Sequence, residues 1–182
     1  MIYLTSDLHL FHDREFIYKP RGFNSCEEMT NYYIKLWKDT IKEEDTVYVV
    51  GDFCLGNDFD LIKKTVMSLP GKIILIIGNH DTEKKVELYK ELGIECKWAD
   101  LIKCGKKNIF LSHYVTITAE LTSNPKNCTL NVHGHIHTKK KHHEDMPFLY
   151  NVSVDANDNK FVTPEQIVAS FKEEVVKCVS YL

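Results

Sequence analysis

Apolar residues along the chain fall into short runs that stop abruptly at glycine or polar residues. Met1 to Thr5 reads as a strand, as do Thr46 to Val50, ending at Gly51-Asp52, and Lys72 to Ile77, ending at Gly78-Asn79-His80-Asp81. Between them lie stretches of near-helical period. Glu27 to Ile41 carries Met29, Tyr33, Leu36, Trp37 and Ile41. Phe59 to Leu69 is stopped by Pro70-Gly71, and Thr82 to Leu92 ends at Gly93. Leu101 to Cys104 and Asn108 to Leu111 flank Gly105-Lys106 as a hairpin. Thr129 to Val132 and Phe148 to Val154 read as further strands, and Pro164 to Phe171 as a helix opened by its proline. The stretch through Val175, Val176 and Val179 reads as a last strand. Strands alternating with helices predict an α/β fold.

At 182 residues the chain suits one compact domain over 1–182. Its longest apolar run, near Ile73 to Ile77, is too short to span a membrane. The N-terminus has no basic segment followed by an apolar core, so a cytoplasmic protein is expected. The six cysteines (Cys26, Cys54, Cys96, Cys104, Cys128, Cys178) form no CxxC pair and read as reduced thiols, not metal ligands. A net charge of -3 argues against broad binding to nucleic acid. The one basic run, Lys139-Lys140-Lys141-His142-His143, reads as a solvated loop that could also lie beside an anionic substrate.

Candidate chemistry sharpens this picture. Asp7 and His9, Asp52, Asn79 and His80, His113, and His135 and His137 nearly all follow a predicted strand. Ligands of open α/β sheets bind at the carboxyl ends of strands, so neighbouring strands would bring these side chains to one place. Asp7-Leu8-His9 and His135-Ile136-His137 space two ligand-type residues at i and i+2, on one side of an extended segment. Imidazole and carboxylate donors together suit Mn, Fe, Ni or Zn and disfavour Ca. The seven of these residues other than His80 are too many for one four-coordinate ion and about right for two ions sharing a carboxylate. Two ions roughly 3.5–4 Å apart clamp the attacking and leaving oxygens of a phosphoryl displacement.

The order Asp-x-His, Gly-Asp, Gly-Asn-His-Asp, His, Gly-His-x-His, from Asp7 to His137, resembles the calcineurin-like metallophosphoesterase superfamily. Thr5-Ser6-Asp7-Leu8-His9, Asp45-Thr46-Val47-Tyr48 before Gly51-Asp52-Phe53, and Leu69-Pro70-Gly71-Lys72 are similar to stretches of its small bacterial and phage members, as is Asn151 to Pro164. The resemblance implies a four-layer α/β/β/α sandwich of two mixed sheets flanked by helices. It implies that Asp7, His9, Asp52 and His137 hold one metal, that Asp52, Asn79, His113 and His135 hold the other, and that Asp52 bridges. His80 would protonate the leaving oxygen. A water between two divalent cations loses a proton near neutral pH and becomes the nucleophile. Two cations, two aspartates and one hydroxide leave a local charge of about +1, enough to draw phosphate to a net acidic chain.

The implied activity is hydrolysis of a phosphodiester of small-nucleotide or cyclic-nucleotide type with Mn as the leading metal. The alternatives are a phosphomonoesterase acting on a small metabolite and a non-catalytic metal-binding scaffold. The Gly51-Asp52-Phe53-Cys54-Leu55-Gly56 run departs from the Asp, Arg and Gly that follow Gly-Asp in the superfamily's protein phosphatases, which argues against that activity. Asp81 adjoins His80, but neighbouring side chains diverge, so what orients His80 is open. His12 and Arg21 are candidates to bind phosphate oxygens, Arg21 through its bidentate fork. Phe11 and Tyr114 are candidates to stack on a base or an aromatic leaving group. Arg14, His142 and His143 read as solvated, and His133 as structural.

Overall fold

Strands β2 (Thr46–Val50) and β3 (Lys72–Ile76) are apolar on both faces, and the two faces belong to different cores. Val47, Val49, Ile73 and Leu75 pack toward helices. Tyr48, Val50, Ile74 and Ile76 pack toward a second sheet. A continuous apolar run is what a strand covered on both sides requires. The computed structural model describes residues 1–118, 129–144, 146 and 148–171. The strand expected around Val175 to Val179 lies outside the described residues.

The first sheet orders β1 (Ile2–Thr5), β2, β3 and β4 (Glu95–Lys97), all parallel. An antiparallel bridge from Leu4 to Val162 extends it beyond β1. The second sheet orders β5 (Ala99–Cys104), β6 (Lys107–Ser112), β7 (Leu130–His133) and β8 (Leu149–Asn151), antiparallel at β5–β6 and parallel after that. Its Ile102, Ile109, Leu111, Leu130, Val132 and Tyr150 meet the first sheet across the inter-sheet core.

Helices α2 (Cys26–Thr40), α3 (Phe59–Met67) and α4 (Glu83–Glu91) cover the other face of the first sheet with Met29, Tyr33, Trp37, Ile62, Val66 and Tyr89. A one-turn helix, α1 (Glu15–Tyr18), packs against α2. Ser25 caps α2 and Asp58 caps α3 through the backbone N–H groups of Glu28 and Leu61. Helix α5 (Pro164–Ser170) packs on β1 and β5 and sends Ile167 into the inter-sheet core. Its start is a full capping box, Thr163 with Gln166. Thr163→Ala is therefore expected to lower stability by about 1 kcal/mol, read as a shift of the urea midpoint at unchanged slope. The described residues contain no helix long and apolar enough to cross a membrane.

Beyond Thr5 and Val50 the first two strands keep company as loops. The N–H groups of Asp7, His9 and Leu10 donate to the carbonyls of Gly51, Asp52 and Phe53. This carries Asp7 and His9 alongside Asp52, past the end of the sheet. Gly134 N–H donates to the His113 carbonyl, and Ser6 pairs with Ser153. The loops after β6, β7 and β8 are thereby drawn to the same edge.

Candidate metal centre

At that edge Asp7, His9, Asp52 and His137 place donor atoms within 4.8 Å of one another. His137 Nε2 lies 3.4 Å from Asp7 Oδ1 and 3.1 Å from His9 Nε2. A second group adjoins it. Asn79 Oδ1 is 2.9 Å from both His113 Nε2 and His135 Nδ1. Asp52 joins the two: its Oδ2 is 3.5 Å from His9 Nε2 and 3.6 Å from His113 Nε2. Its other oxygen, Oδ1, accepts from His80 N–H at 2.9 Å.

The tautomers show what these clefts lack. His113 Nδ1 donates to the Val50 carbonyl at 2.9 Å, so its neutral ring presents a lone pair at Nε2. His137 Nδ1 donates to Asp155 Oδ2 at 2.8 Å, so that in its neutral, metal-binding form this ring presents its lone pair at Nε2. Those lone pairs face an amide oxygen and a carboxylate with no hydrogen between. Acceptors aimed at acceptors in a site whose floor is buried and whose mouth is open fit divalent cations, and the nitrogen and oxygen donors fit transition metals. Asp7, His9 and Asp52 are almost fully buried, which makes an uncompensated pair of carboxylates costly. Burial pushes the Asp7 carboxyl up, but the hydrogen bond with His9 and the facing charges of His137 and His113 outweigh it and hold it below its ordinary value. Burial also pushes His137 down, yet the Asp155 hydrogen bond and the Asp7 and Asp155 charges keep it above its ordinary value.

The ligand-bearing backbone is not extended. Asp7, His9, Asp52, His135 and His137 have φ of 57°, 50°, 56°, 72° and 45°, in the left-handed region. Five of the eight non-glycine residues found there among the described residues are candidate ligands, and such conformations concentrate at functional sites. The expectation of side chains aligned on an extended segment is therefore corrected: the loops coil. His135 faces Asn79, while His137 faces Asp7 and His9. Glycines make room for this coil. A Cβ on Gly51 would meet His113 Nδ1 at 2.0 Å, and one on Gly134 would meet Ser6 Oγ at 2.0 Å and Asp7 Oδ2 at 2.3 Å.

Arg21 stands apart from the role expected of it. Its guanidinium is buried and forked onto Asp155, Nε to Oδ1 at 2.8 Å and Nη2 to Oδ2 at 2.8 Å. Nη2 also donates to the Asp7 carbonyl at 2.8 Å, and Nη1 to the Leu8 carbonyl at 3.3 Å. Nη1 also reaches Met29 Sδ at 3.5 Å, so all five N–H groups face the protein and none is left for phosphate; Arg21 positions the Asp7 loop instead. His12 is half-buried and stacks on His9 with ring centroids 5.3 Å apart. Burial and the neighbouring His9 push it down to about 4. His80 is exposed, its ring 5.6 Å from that of His9. Among the described residues no side chain hydrogen-bonds to that ring. Phe11 packs in the helix-side core over Gly56. His142 and His143 are half-buried and not fully solvated, because His142 packs on Tyr150 and Phe171 and His143 meets buried His133, Nε2 to Nε2 at 2.9 Å. Lys140 pairs with Glu144.

Two residues that organise the site carry no ligand signal in the sequence. Asp155 fixes both His137 and Arg21; the available cue was a carboxylate just after the buried strand-like run Asn151 to Val154. Asp81 does diverge from His80. Its buried carboxylate takes the N–H groups of Asp52 (2.8 Å), Phe53 (3.1 Å) and Gly78 (2.9 Å), binding the bridging-residue loop to the Asn79 loop. Lys85, buried in the first turn of α4, reaches the His80 carbonyl at 3.5 Å. The described cysteines, Cys26, Cys54, Cys96 and Cys104, are free, and none joins the donor cluster.

Comparison with known proteins points the same way. Residues 1–158 match the calcineurin-like phosphoesterase family. An uncharacterised protein of Methanocaldococcus jannaschii is 31% identical over 195 residues, covering 100% of this chain and 97% of that one. The gene 66 protein of Mycobacterium phage L5 is 33% identical over 82 residues, 43% of this chain and 39% of that one. A crystal structure of a protein of unknown function from Aquifex aeolicus superposes with a TM-score of 0.71 at 28% identity, covering 93% of this chain and 98% of that one.

Proposed function

The chain belongs to the calcineurin-like phosphoesterase family, and from that membership we propose that it is a dinuclear metal-dependent phosphodiesterase acting on a small nucleotide or cyclic nucleotide in the cytoplasm. One domain spanning 1–182 carries the whole apparatus. The observation that carries the reading is the place of Asp52 Oδ2, between the two acceptor clefts at 3.5 Å from His9 and 3.6 Å from His113. Asp7, His9, Asp52 and His137 hold one ion in this reading, and Asp52, Asn79, His113 and His135 hold the second, with Mn as the leading metal. Ions held there would supply positive charge for the phosphate oxygens and a water of lowered pKa.

The chain's own groups do the rest. Asp155 and the Val50 carbonyl fix two histidine tautomers so that each ring offers its Nε2. Asp81 and Arg21 lock the loops that aim Asp52 and Asp7. His80, exposed beside His9 and anchored by its N–H on Asp52, donates a proton to the leaving oxygen. His12, stacked on His9, borders the substrate's approach. A diester is favoured over a dianionic monoester by the arginine supply. The chain has two arginines; Arg21 is consumed by Asp155, leaving Arg14 at the surface.

Hydrolysis of bis-p-nitrophenyl phosphate and p-nitrophenyl phosphate with Mn, Ni, Zn and Mg tests this. The expected result is metal-dependent turnover with the diester ahead; metal-bound protein inert to both esters would move the reading to a scaffold. The Asp155 carboxylate gives a finer check. Asp155→Asn keeps an acceptor for His137 but removes the charge that holds both that ring and Arg21. A loss of about 10–100-fold in metal affinity is expected, as for other partners of ligating histidines, measured by competition with a chromophoric chelator.

A further inference from the structure

Tyr114 is an aromatic side chain that neither core uses. It directly follows a candidate ligand, His113, yet remains 48% exposed and belongs to neither hydrophobic cluster. Its ring lies against both histidines of the second group, 5.4 Å from His113 at an interplanar angle of 74° and 4.9 Å from His135 at 62°. Those two rings meet each other at 5.2 Å. The backbone beneath it is pinned: Ser112 Oγ and Thr116 Oγ1 donate to the Tyr114 carbonyl from either side, at 2.9 and 3.1 Å. A π-face is thus held at the mouth of the centre, supported by two ligand rings on one side and open to solvent elsewhere. Folding alone gives no reason to leave it there.

We propose that Tyr114 forms the wall of a subsite for an aromatic group esterified to the phosphate, a nucleobase-bearing substituent in preference to an aliphatic one. The inference rests on the phosphoesterase reading and names the substrate feature that site selects. Every base has a π-face, so stacking of this kind is strong and tolerant of base identity. Phe16 makes the contrast. It is 71% exposed but reaches the centre only through His12, edge-on at 5.9 Å, and so lies a layer further from the ligands.

The test is binding, read by calorimetry on Mn-supplemented protein with adenosine 5′-monophosphate and ribose 5-phosphate, which carry the same phosphate and differ in the base. Wild type is expected to bind the nucleotide about tenfold more tightly, within the range of base–aromatic stacking. Tyr114→Phe and Phe16→Ala should keep that preference. Tyr114→Ala and Tyr114→Leu should abolish it while leaving ribose 5-phosphate affinity unchanged. Equal affinities in wild type, binding of neither ligand at millimolar concentration, or a preference that survives Tyr114→Ala would overturn the proposal. A wild type that prefers the nucleotide but hydrolyses no phosphodiester would remove the proposed activity and leave the subsite standing.

Discussion

Asp52→Asn is expected to reduce metal-dependent phosphodiester hydrolysis by at least about 10³-fold while the protein stays folded. The substitution is isosteric, and the amide oxygen can still accept from His80 N–H as Oδ1 does now. The damage falls on the other atom. Where Oδ2 faces His9 and His113 at 3.5 and 3.6 Å, an NH₂ group would point its hydrogens between the two rings, one of them at the His113 Nε2 lone pair. It puts donors where the clefts need acceptors and removes the negative charge that two cations would share in the proposed centre. Metal centres supply several kcal/mol of charge stabilisation in such reactions, and each 1.36 kcal/mol is tenfold in rate. Without metal the substitution relieves repulsion, because Asp7, Asp52 and Asp81 are all buried in one edge of the fold. The thermal midpoint of the metal-free variant should match or exceed that of wild type. Calorimetry beside a rate assay checks both halves; an unfolded variant, or one with near wild-type turnover, would contradict the bridging role.

His80→Ala is expected to cost about 10²–10⁴ in kcat, the usual range for removing a positioned general acid, with bound metal unchanged. Metal retention follows from the geometry. The contact of His80 with the bridging residue is through its backbone N–H, which alanine keeps. The side chain is exposed, so its removal leaves no cavity. The size of the effect should depend on the leaving group. A p-nitrophenolate leaves with little need of a proton, so the loss there should be smaller than with an alkoxide such as a ribose hydroxyl. Rates on one substrate of each kind, with metal analysis of the same samples, decide this. Equal losses on both would point to a role in binding, and loss of metal would make His80 a ligand.

The strands and principal helices are legible because each is bounded by something local. Gly51, Gly78, Pro70 and Gly93 stop elements at nearly the residues where the apolar pattern ends. Two elements are not legible. Strand β4 is three residues paired only to β3, and α1 is a single turn. Neither is long enough to show a period, and both form because the surrounding fold supplies their partners. In the site, the candidate donors are legible as polar residue types just past buried strands, and the fold gathers Asp7, His9, Asp52 and His137. How the donors divide was beyond spacing alone, since it depends on left-handed backbone at Asp7, His9, His135 and His137. Arg21 was misread for a physical reason. A lone arginine near a phosphate-type motif looks free until a carboxylate 134 positions away, Asp155, is folded against it. The role of Asp155, and that of Asp81 beyond its place beside His80, are not legible because their work is done on other protein groups, which no single-sequence pattern displays.

In the proposed centre this chain holds two ions joined by one carboxylate. Exhaustively chelated protein, titrated with Mn at neutral pH by equilibrium dialysis with elemental analysis, tests it directly. Two ions per chain are expected for wild type and fewer than two for Asp52→Asn. Wild type that saturates at one ion or none would contradict it.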